Sequence, residues 1–262
     1  MLKMRRMAES FDDIAVPLKQ LDKIRITTYV HVLVSYPLEL IEITDKAIFE
    51  QVEILNAAFN PGNIYFRLGG YGRGLLQGDE FFFRNGSPVV KKHRRGDQRS
   101  LNLFITDSIL DGEGGKNKKF IKGFATMPGP SHDYSGDCAV VHTCSLKGHT
   151  CGHYGKDPNL GISAAHEVGH WMGLLHVNGG EGVTDDYIDD TPPESTSYDG
   201  VRVSVADGRC AAMKPRKGGK YANVGNIMTY APDLCRWFFS EGQFRMMRRM
   251  WWNFRAKKPL RK

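Results

Sequence analysis

The 262-residue chain contains no apolar run close to the ~20 residues that a membrane-spanning helix needs. It also shows no internal repeat at a period of about 20–50 residues, which excludes a repeat architecture. Near the start, Glu9, Asp12 and Asp13 stand where a signal peptide would have its apolar stretch, so no signal peptide is recognisable. We expect residues 1–23 to form an N-terminal extension and the chain to lack a membrane span.

What the sequence does contain is typical of a folded domain. Hydrophobic residues make up 41% and charged residues 25%, so a disordered chain and a collagen-like repeat are excluded. The length allows one large domain or two small ones. Thirty-six Lys and Arg against 29 Asp and Glu give a net charge of +7. This excess leaves open a nucleic-acid partner, an anionic surface, or solubility alone.

Strand and helix patterns predict an α+β fold. Apolar residues alternate over Ile24–Val34, which indicates a strand, and Thr44 then caps an amphipathic helix that ends at Pro61-Gly62. Shorter strands are predicted at 64–68, 101–105 and 139–142. The glycine-rich segment 69–74 lacks the Gly-Lys-Ser/Thr ending of a phosphate-binding loop and is interpreted as a turn. Together these elements predict a twisted mixed sheet backed by a helix.

Two further helices are predicted in the second half of the chain. One covers about 163–172. The other begins at a capping box formed by Ser240 and Gln243. Its apolar stripe indicates core packing rather than a ligand site, with the residues Phe244, Met247, Trp251 and Phe254.

The segment 166–176 carries the chemistry, because it reads His-Glu-Val-Gly-His-Trp-Met-Gly-Leu-Leu-His. On a helix, His166 and His170 lie one above the other, so both imidazoles can reach one Zn²⁺. Glu167 lies beside them as the general base for a zinc-bound water. Gly173 permits the chain to stop the helix and bring His176 round as third ligand, with the fourth position open. Chance would produce this pattern in roughly 5 of 100,000 such chains.

The motif resembles the metzincin signature, which is followed later by a Met-turn. Asn226-Ile227-Met228-Thr229-Tyr230 matches that turn, with Met228 as its methionine. Within the metzincins the chain resembles the pappalysin family, in particular its small secreted microbial and fungal endopeptidases. The resemblance covers about 24–255 and includes the segments 29–32, 51–60, 101–103, 123–128, 186–192 and 242–249.

The resemblance implies a two-lobed catalytic domain with the cleft between its lobes. The upper lobe, 24–176, would hold the sheet, its backing helix and the active-site helix. The lower lobe, 177–255, would be irregular and would hold the Met-turn and the C-terminal helix, with a basic tail at 256–262. Tyr230 is expected to assist the oxyanion near the metal. A tyrosine that merely packs under the site is the alternative.

Asp185, Asp186, Asp189 and Asp190 cluster in one loop beyond His176. Clustered carboxylates suit a hard cation, and the resemblance implies a structural calcium ion near this segment. Asp186, Asp189 and Asp190 are the candidate ligands. The alternative is a solvated acidic turn.

The five cysteines allow two disulfides. The resemblance implies a bond between Cys210 and Cys235, and Cys144 and Cys151 lie close enough in sequence to form a second, leaving Cys138 over. An alternative is a second, structural zinc site that uses ligand-type residues packed into sixteen positions, although their spacing matches no standard finger. These residues are Cys138, His142, Cys144, His149, Cys151 and His153.

The densest basic run, Lys91-Lys92-His93-Arg94-Arg95, lacks interleaved aromatics and is interpreted as a solvated loop; no nucleic-acid partner is expected. A second basic group consists of Arg245, Arg248, Arg249, Arg255 and the tail. We therefore predict a secreted zinc endopeptidase that cleaves proteins or peptides, with secretion inferred from the resemblance and the cysteines. The alternative is a non-proteolytic secreted zinc-bearing effector, and a basic nucleic-acid binder ranks third.

Overall fold

The computed structural model describes residues 16–77, 87–109, 121–151, 159–177, 186–191 and 225–256. Within these ranges no helix is both long and apolar enough to cross a membrane. The described strands are β1 (Ile24–Val34), β2 (Ile64–Leu75), β3 (Leu101–Thr106), β4 (Gly123–Ala125) and β5 (Ala139–His142). The described α-helices are α1 (Pro37–Glu42), α2 (Asp45–Phe59), α3 (Pro88–His93), α4 (Ile162–Trp171) and α5 (Glu241–Met250).

The strands form one sheet in the order β2-β1-β3-β5-β4. Three neighbouring pairs of strands are parallel, and β4 pairs antiparallel with β5 at one end of the described sheet. The predicted mixed sheet is thus confirmed. β4, α1 and α3 are not predicted by the sequence, because elements of three to six residues are too short to display a periodicity.

The prediction of a turn at 69–74 is wrong, because β2 continues through these glycines to Leu75. The C-terminal half of β2 pairs with β1 from Tyr29 to Val34, after a register shift between Thr28 and Tyr29. A side chain at Gly69 would meet Thr27 Cγ2 at 2.5 Å, so glycine permits the close packing of the neighbouring strand. Pairing with β1 therefore overrides the weak strand propensity of glycine.

Helix α2 covers one face of the sheet, as its amphipathic pattern predicts. Thr44 Oγ1 accepts a hydrogen bond from the Ala47 amide at 3.2 Å and caps the helix. The apolar stripe of α2 is buried in the main core with the inward side chains of β1 and β2, and α4 packs into the same core. A smaller apolar cluster on the opposite sheet face holds Val89 and Val90 of α3 against Phe104 and Val140.

Helix α5 begins at the predicted capping box, in which Ser240 and Gln243 bond each other's backbone amides. Phe244, Met247 and Trp251 are buried and Phe254 is half-buried, which agrees with the predicted packing stripe. The helix continues as a π-helical turn, Trp251–Arg255, and this turn places the Arg255 side chain in the protein interior.

Candidate metal and catalytic site

Helix α4 carries the zinc motif, and its first turn is held by a carboxylate from elsewhere in the chain. Asp233 Oδ2 accepts hydrogen bonds from the backbone amides of Leu160 and Ile162, at 3.0 and 3.2 Å. These amides have no helical partner of their own, and a negative charge is favourable at a helix N-terminus. Asp233 thereby fixes the position of α4 relative to the segment that follows Met228.

The helix ends at Trp171, and Gly173 forms the turn that follows, where the sequence predicts the stop. Gly173 has φ +98°, and the Leu174 amide bonds the Gly169 carbonyl while the Gly173 amide bonds the His170 carbonyl. This pair of hydrogen bonds is a Schellman ending, which favours glycine. A Cβ at Gly173 would lie 2.6 Å from Met250 Cγ, so helix α5 packs directly against the turn. The turn returns the chain towards the helix and brings in His176.

The three predicted histidines converge. His176 Nε2 lies 3.1 Å from His166 Nε2 and 3.0 Å from His170 Nε2. His166 Nδ1 contacts the Ile227 carbonyl and His170 Nδ1 contacts the Leu174 carbonyl, both at 2.8 Å. A carbonyl accepts, so Nδ1 carries the proton in both rings and the Nε2 lone pairs face one another.

Such facing lone pairs repel unless a cation lies among them. Tetrahedral zinc with Zn–N bonds of about 2.0–2.1 Å places its nitrogen ligands about 3.3 Å apart, close to the separations found. Burial lowers the pKa of all three imidazoles, to about 3 for His176, which keeps them neutral and able to bind a metal. The donor set therefore fits Zn²⁺. It is also the one group of potential metal ligands gathered within the described residues.

Glu167 is buried beside the histidines, next to β4. Gly123 makes room for it, because a Cβ there would lie 2.8 Å from Glu167 Cγ and Oε1. The Glu167 carboxylate makes no hydrogen bond to the described part of the chain. Burial raises the pKa of Glu167 to about 8, and the positive charge of Arg236 opposes that rise.

Tyr230 contacts the third histidine, since its Oη lies 3.2 Å from His176 Nδ1. The side chain is 56% exposed, so it stands at the open side of the site rather than packed beneath it. The alternative of a tyrosine buried under the metal site does not agree with this exposure.

Met228 lies beneath the motif, in van der Waals distance of Gly169. A Cβ at Gly169 would approach Met228 Sδ to 2.5 Å, so this small residue inside the motif accommodates the methionine. Asn226 Oδ1 accepts from the Met228 amide, and Asn226 also exchanges hydrogen bonds with the side chain of Gln243. The turn is thus fixed to the first turn of α5.

Sequence reasoning missed Arg236, which is buried and links the Met-turn to helix α4. Its Nη1 donates to the carbonyls of Ile227 and Thr229 at 3.4 and 3.2 Å. Its Nη2 pairs with Asp233 Oδ1 at 2.5 Å. Since Ile227 also accepts from His166, one ion pair supports both the metal-ligand candidate and the start of the helix. An isolated Asp-x-x-Arg carries no such signal.

A second buried pair lies at the far end of α4. Asp137 and Arg255 are fully buried and bonded through two contacts, Nη1–Oδ2 at 2.8 Å and Nη2–Oδ1 at 3.0 Å. Trp171 Nε1 donates to Asp137 Oδ2 at 2.8 Å, and the Arg255 guanidinium lies 3.6 Å from the centre of the Trp171 ring. The pair thereby attaches the last turn of α4 to the C-terminal π-helical turn.

The predicted calcium candidates are not gathered as a group. Asp186 accepts from the Ile188 amide and the Thr191 hydroxyl, at 3.1 and 2.7 Å. Asp190 accepts from Ser240 Oγ at 2.6 Å and from the Gly242 amide at 2.8 Å, so it joins the loop to α5. Asp189 is exposed, and Asp185 lies outside the described residues.

The described cysteines differ in their bonding state. Cys144 and Cys151 form a disulfide with Cα atoms 5.0 Å apart, so a second zinc site built on their thiolates is wrong. Cys138 is free, and burial raises the pKa of its thiol above the usual range. Cys235 is disulfide-bonded, while Cys210 and one of the three histidines of the alternative zinc site, His153, lie outside the described residues.

Comparisons with known proteins agree with the site. The family model described as pregnancy-associated plasma protein-A, peptidase M43, matches residues 85–251. An extracellular metalloprotease of Aspergillus fumigatus is 31% identical, over 92% of this chain and 80% of its own length. An extracellular metalloprotease of Coccidioides posadasii is 30% identical, over 95% of this chain and 82% of its own length.

Among solved structures, mature mirolysin of Tannerella forsythia, in complex with a cleaved peptide, superposes with a TM-score of 0.62 at 22% identity. The match covers 87% of this chain and 91% of mirolysin, and it confirms the predicted metzincin-type fold. The chain is therefore a zinc metalloendopeptidase that belongs to the peptidase M43, or pappalysin, family.

Proposed function

We propose that His166, His170 and His176 hold one catalytic zinc ion and that Glu167 is the general base of peptide hydrolysis. The observation that carries this proposal is the convergence of three Nε2 atoms beside a buried carboxylate. A zinc ion held there would lower the pKa of a water molecule and polarise the scissile carbonyl. Fixing His166 and His170 through backbone carbonyls preorganises the ligands before the metal binds.

Glu167 takes a proton from the attacking water and later delivers it to the leaving amine nitrogen. A base with a pKa near the working pH can do both. Burial raises the pKa of Glu167, while Arg236, and a zinc ion when bound, would favour the carboxylate form that accepts the proton. No hydrogen bond from the described part of the chain occupies the Glu167 carboxylate oxygens, which leaves them available for the water.

Tyr230 has a supporting part in this mechanism. Its hydroxyl is exposed and close to His176, so it can turn towards the oxyanion that forms when water attacks the carbonyl. A neutral hydroxyl can donate one hydrogen bond to that charge.

The peptide substrate would lie along β4. This strand terminates the described sheet beside Glu167, and a strand edge offers backbone groups to an extended peptide. Main-chain bonding of this kind suits protein substrates of varied sequence. The relatives' naming as extracellular metalloproteases and the Cys144–Cys151 bond support secretion of this chain as well.

Three finer assignments accompany the proposal. The upper and lower lobes divide between residues 176 and 177, after an N-terminal extension of residues 1–23, and a basic tail covers 256–262.

Cys210 pairs with Cys235. A peptide map without reduction tests this pairing, because the linked peptide should be present and should disappear after reduction. Calcium binds near Asp186, Asp189 and Asp190 and would rigidify the loop; an unchanged melting temperature with a calcium-selective chelator counts against it.

Casein hydrolysis tests the proposed activity. We expect the purified chain to cleave casein, o-phenanthroline to abolish cleavage, and added zinc to restore it. The non-chelating isomer m-phenanthroline is the matched control and should have no effect. A zinc-loaded, folded chain that leaves casein and gelatin intact would instead support the non-proteolytic effector.

A further inference from the structure

A basic groove of about 420 Å³ opens on the sheet face opposite α2 and α4. We use the name basic groove for the surface lined by Lys23, Arg25, Ile26, Thr27, Tyr65 and Arg67. Side chains alternate along a strand, so Ile24 and Ile26 point into the core while Arg25 and Thr27 point outward. Helix α3 covers the other end of this face and leaves the groove open.

Within the described residues, no acidic side chain neutralises the cations of the basic groove. Arg25 and Arg67 are exposed, and neither makes a side-chain hydrogen bond or ion pair within the described part of the chain. Lys23 places its ammonium 5.5 Å from the centre of the Tyr65 ring. Of the six lining residues, three are cationic and none is acidic. The groove therefore has a local positive potential that an anion would relieve.

The register brings these charges together. Arg25 lies opposite Tyr65, and Thr27 lies opposite Arg67, so the two arginines are diagonal neighbours on one face. A rise of about 3.3 Å per residue and a strand spacing of about 4.8 Å place their Cα atoms roughly 8 Å apart. An anion bound between the two arginines would therefore be attracted by both charges.

The positive surface continues beyond the groove. Arg95 is exposed, and its Nη1 lies 3.9 Å from where a Cβ on Gly70 would be. Gly70 pairs with Tyr29, so Arg95 extends the same face along β1. From Lys23 to Tyr29 a strand spans about 20 Å. A line of cations of this length fits a linear polyanion better than a single small anion.

We propose that the basic groove binds a sulfated polysaccharide. In the described part of the chain, the aromatic rings on this face already lie against other groups, Tyr65 beside Lys23 and Tyr29 beside Gly69 and Gly96. These two rings therefore offer no free platform on which nucleic-acid bases could stack. The three cationic side chains of the groove suit sulfate groups. β2 lies at the end of the described sheet opposite β4, so a chain bound here would leave the zinc-site cleft free. The polysaccharide would localise the peptidase without blocking it.

Binding of a fluorescent heparin decasaccharide at about 0.15 M salt tests the proposal through fluorescence anisotropy. We expect the double variant Arg25→Gln/Arg67→Gln to bind about 10-fold more weakly, and Arg67→Gln alone about 3-fold more weakly. The matched control, Lys46→Gln/Lys147→Gln, loses the same charge on the α2 side of the sheet and should stay within about 2-fold of the parent chain.

Unchanged casein hydrolysis by the groove variants shows that they are folded; the single variant suffices if the double variant does not fold. Equal losses in the groove and control variants would overturn the proposal, because net charge would then explain binding. No binding of heparin by the parent chain would also overturn it. Tighter binding of a single-stranded DNA of about 12 nucleotides would replace the polysaccharide by nucleic acid as the ligand.

Discussion

At the scale of single residues, the histidines of the zinc motif depend on backbone carbonyls for their orientation. His166 and His170 are held through Nδ1 by the Ile227 and Leu174 carbonyls. His176 contacts the exposed hydroxyl of Tyr230 instead. The third candidate ligand is therefore the one whose surroundings can rearrange when a substrate enters.

Replacing Tyr230 by Phe tests the role of that hydroxyl. We expect kcat for casein-derived peptides to fall about 10–100-fold, because one oxyanion donor is lost. KM and zinc content should change little, since the ring and the three imidazoles remain. Unaltered kcat would assign Tyr230 to packing alone, and loss of zinc would assign it to metal binding.

The metal-binding and catalytic candidates are predictable from sequence, but the residues that hold them in position are not. The His-Glu-x-x-His spacing places two imidazoles and a carboxylate together through helix geometry alone. Asp233 reaches the Leu160 amide at the start of α4 across 73 positions, and Arg236 reaches the Ile227 carbonyl across nine positions of irregular chain. Neither contact follows a periodic pattern, so sequence reasoning missed both residues.

At the scale of elements, the ending of helix α4 decides where the third histidine lies. Gly173 adopts a left-handed conformation and also touches Met250 of α5. Gly148 has a similar φ of +83° but nothing within 4 Å of a Cβ placed there. A comparison of the two glycines therefore distinguishes the cost of a side chain in the left-handed conformation from the cost of its steric clash with Met250.

We expect Gly148→Ala to cost about 1 kcal/mol and Gly173→Ala about 2–4 kcal/mol, because only the second adds overpacking to backbone strain. Thermal unfolding measures both. Gly173→Ala should also lower zinc affinity by displacing His176. Equal destabilisation by the two variants would show that contact with Met250 has no energetic weight.

Element boundaries were predictable where they depend on local signals. Thr44, Gly173 and the Ser240–Gln243 box each mark a helix end through hydrogen bonds made within a few residues. The glycine-rich half of β2 has no such signal, because its strand state comes from pairing with β1. The mixed sheet was therefore predictable, but the predicted end of β2, residue 68, is seven residues before its observed end at Leu75.

At the scale of the whole molecule, the Asp137–Arg255 pair joins residues 118 positions apart. Burial by itself raises the pKa of the Asp137 carboxyl, but the charge of Arg255 and hydrogen bonds from His132, Arg255 and Thr126 hold it below its ordinary value of 3.8. A carboxyl group whose pKa is lower in the folded than in the unfolded state stabilises the folded protein at pH values above its unfolded pKa. That stabilisation is lost as the pH falls through the lower, folded pKa.

Asp137→Asn should therefore destabilise the chain by about 3–5 kcal/mol at neutral pH, because it leaves Arg255 buried without its counter-charge. The variant should also lose less stability than the parent chain as the pH falls below about 4, because the titrating carboxylate is gone. Urea unfolding across this range measures both effects. The control Asp97→Asn, at an exposed pair with Arg99, should cost less than about 1 kcal/mol. An equally small cost for Asp137→Asn would refute the proposed anchoring role.

We propose that Glu167 transfers the proton at a zinc ion held by three histidines, and Glu167→Gln tests this role when its zinc content and its casein hydrolysis are measured together. The control is Glu50→Gln, at the ion pair with Lys147 on helix α2. We expect full zinc occupancy in both variants, a loss of activity of about 10²–10⁴-fold in Glu167→Gln, and none in Glu50→Gln. Activity within a few-fold of the parent chain in zinc-loaded Glu167→Gln would contradict it.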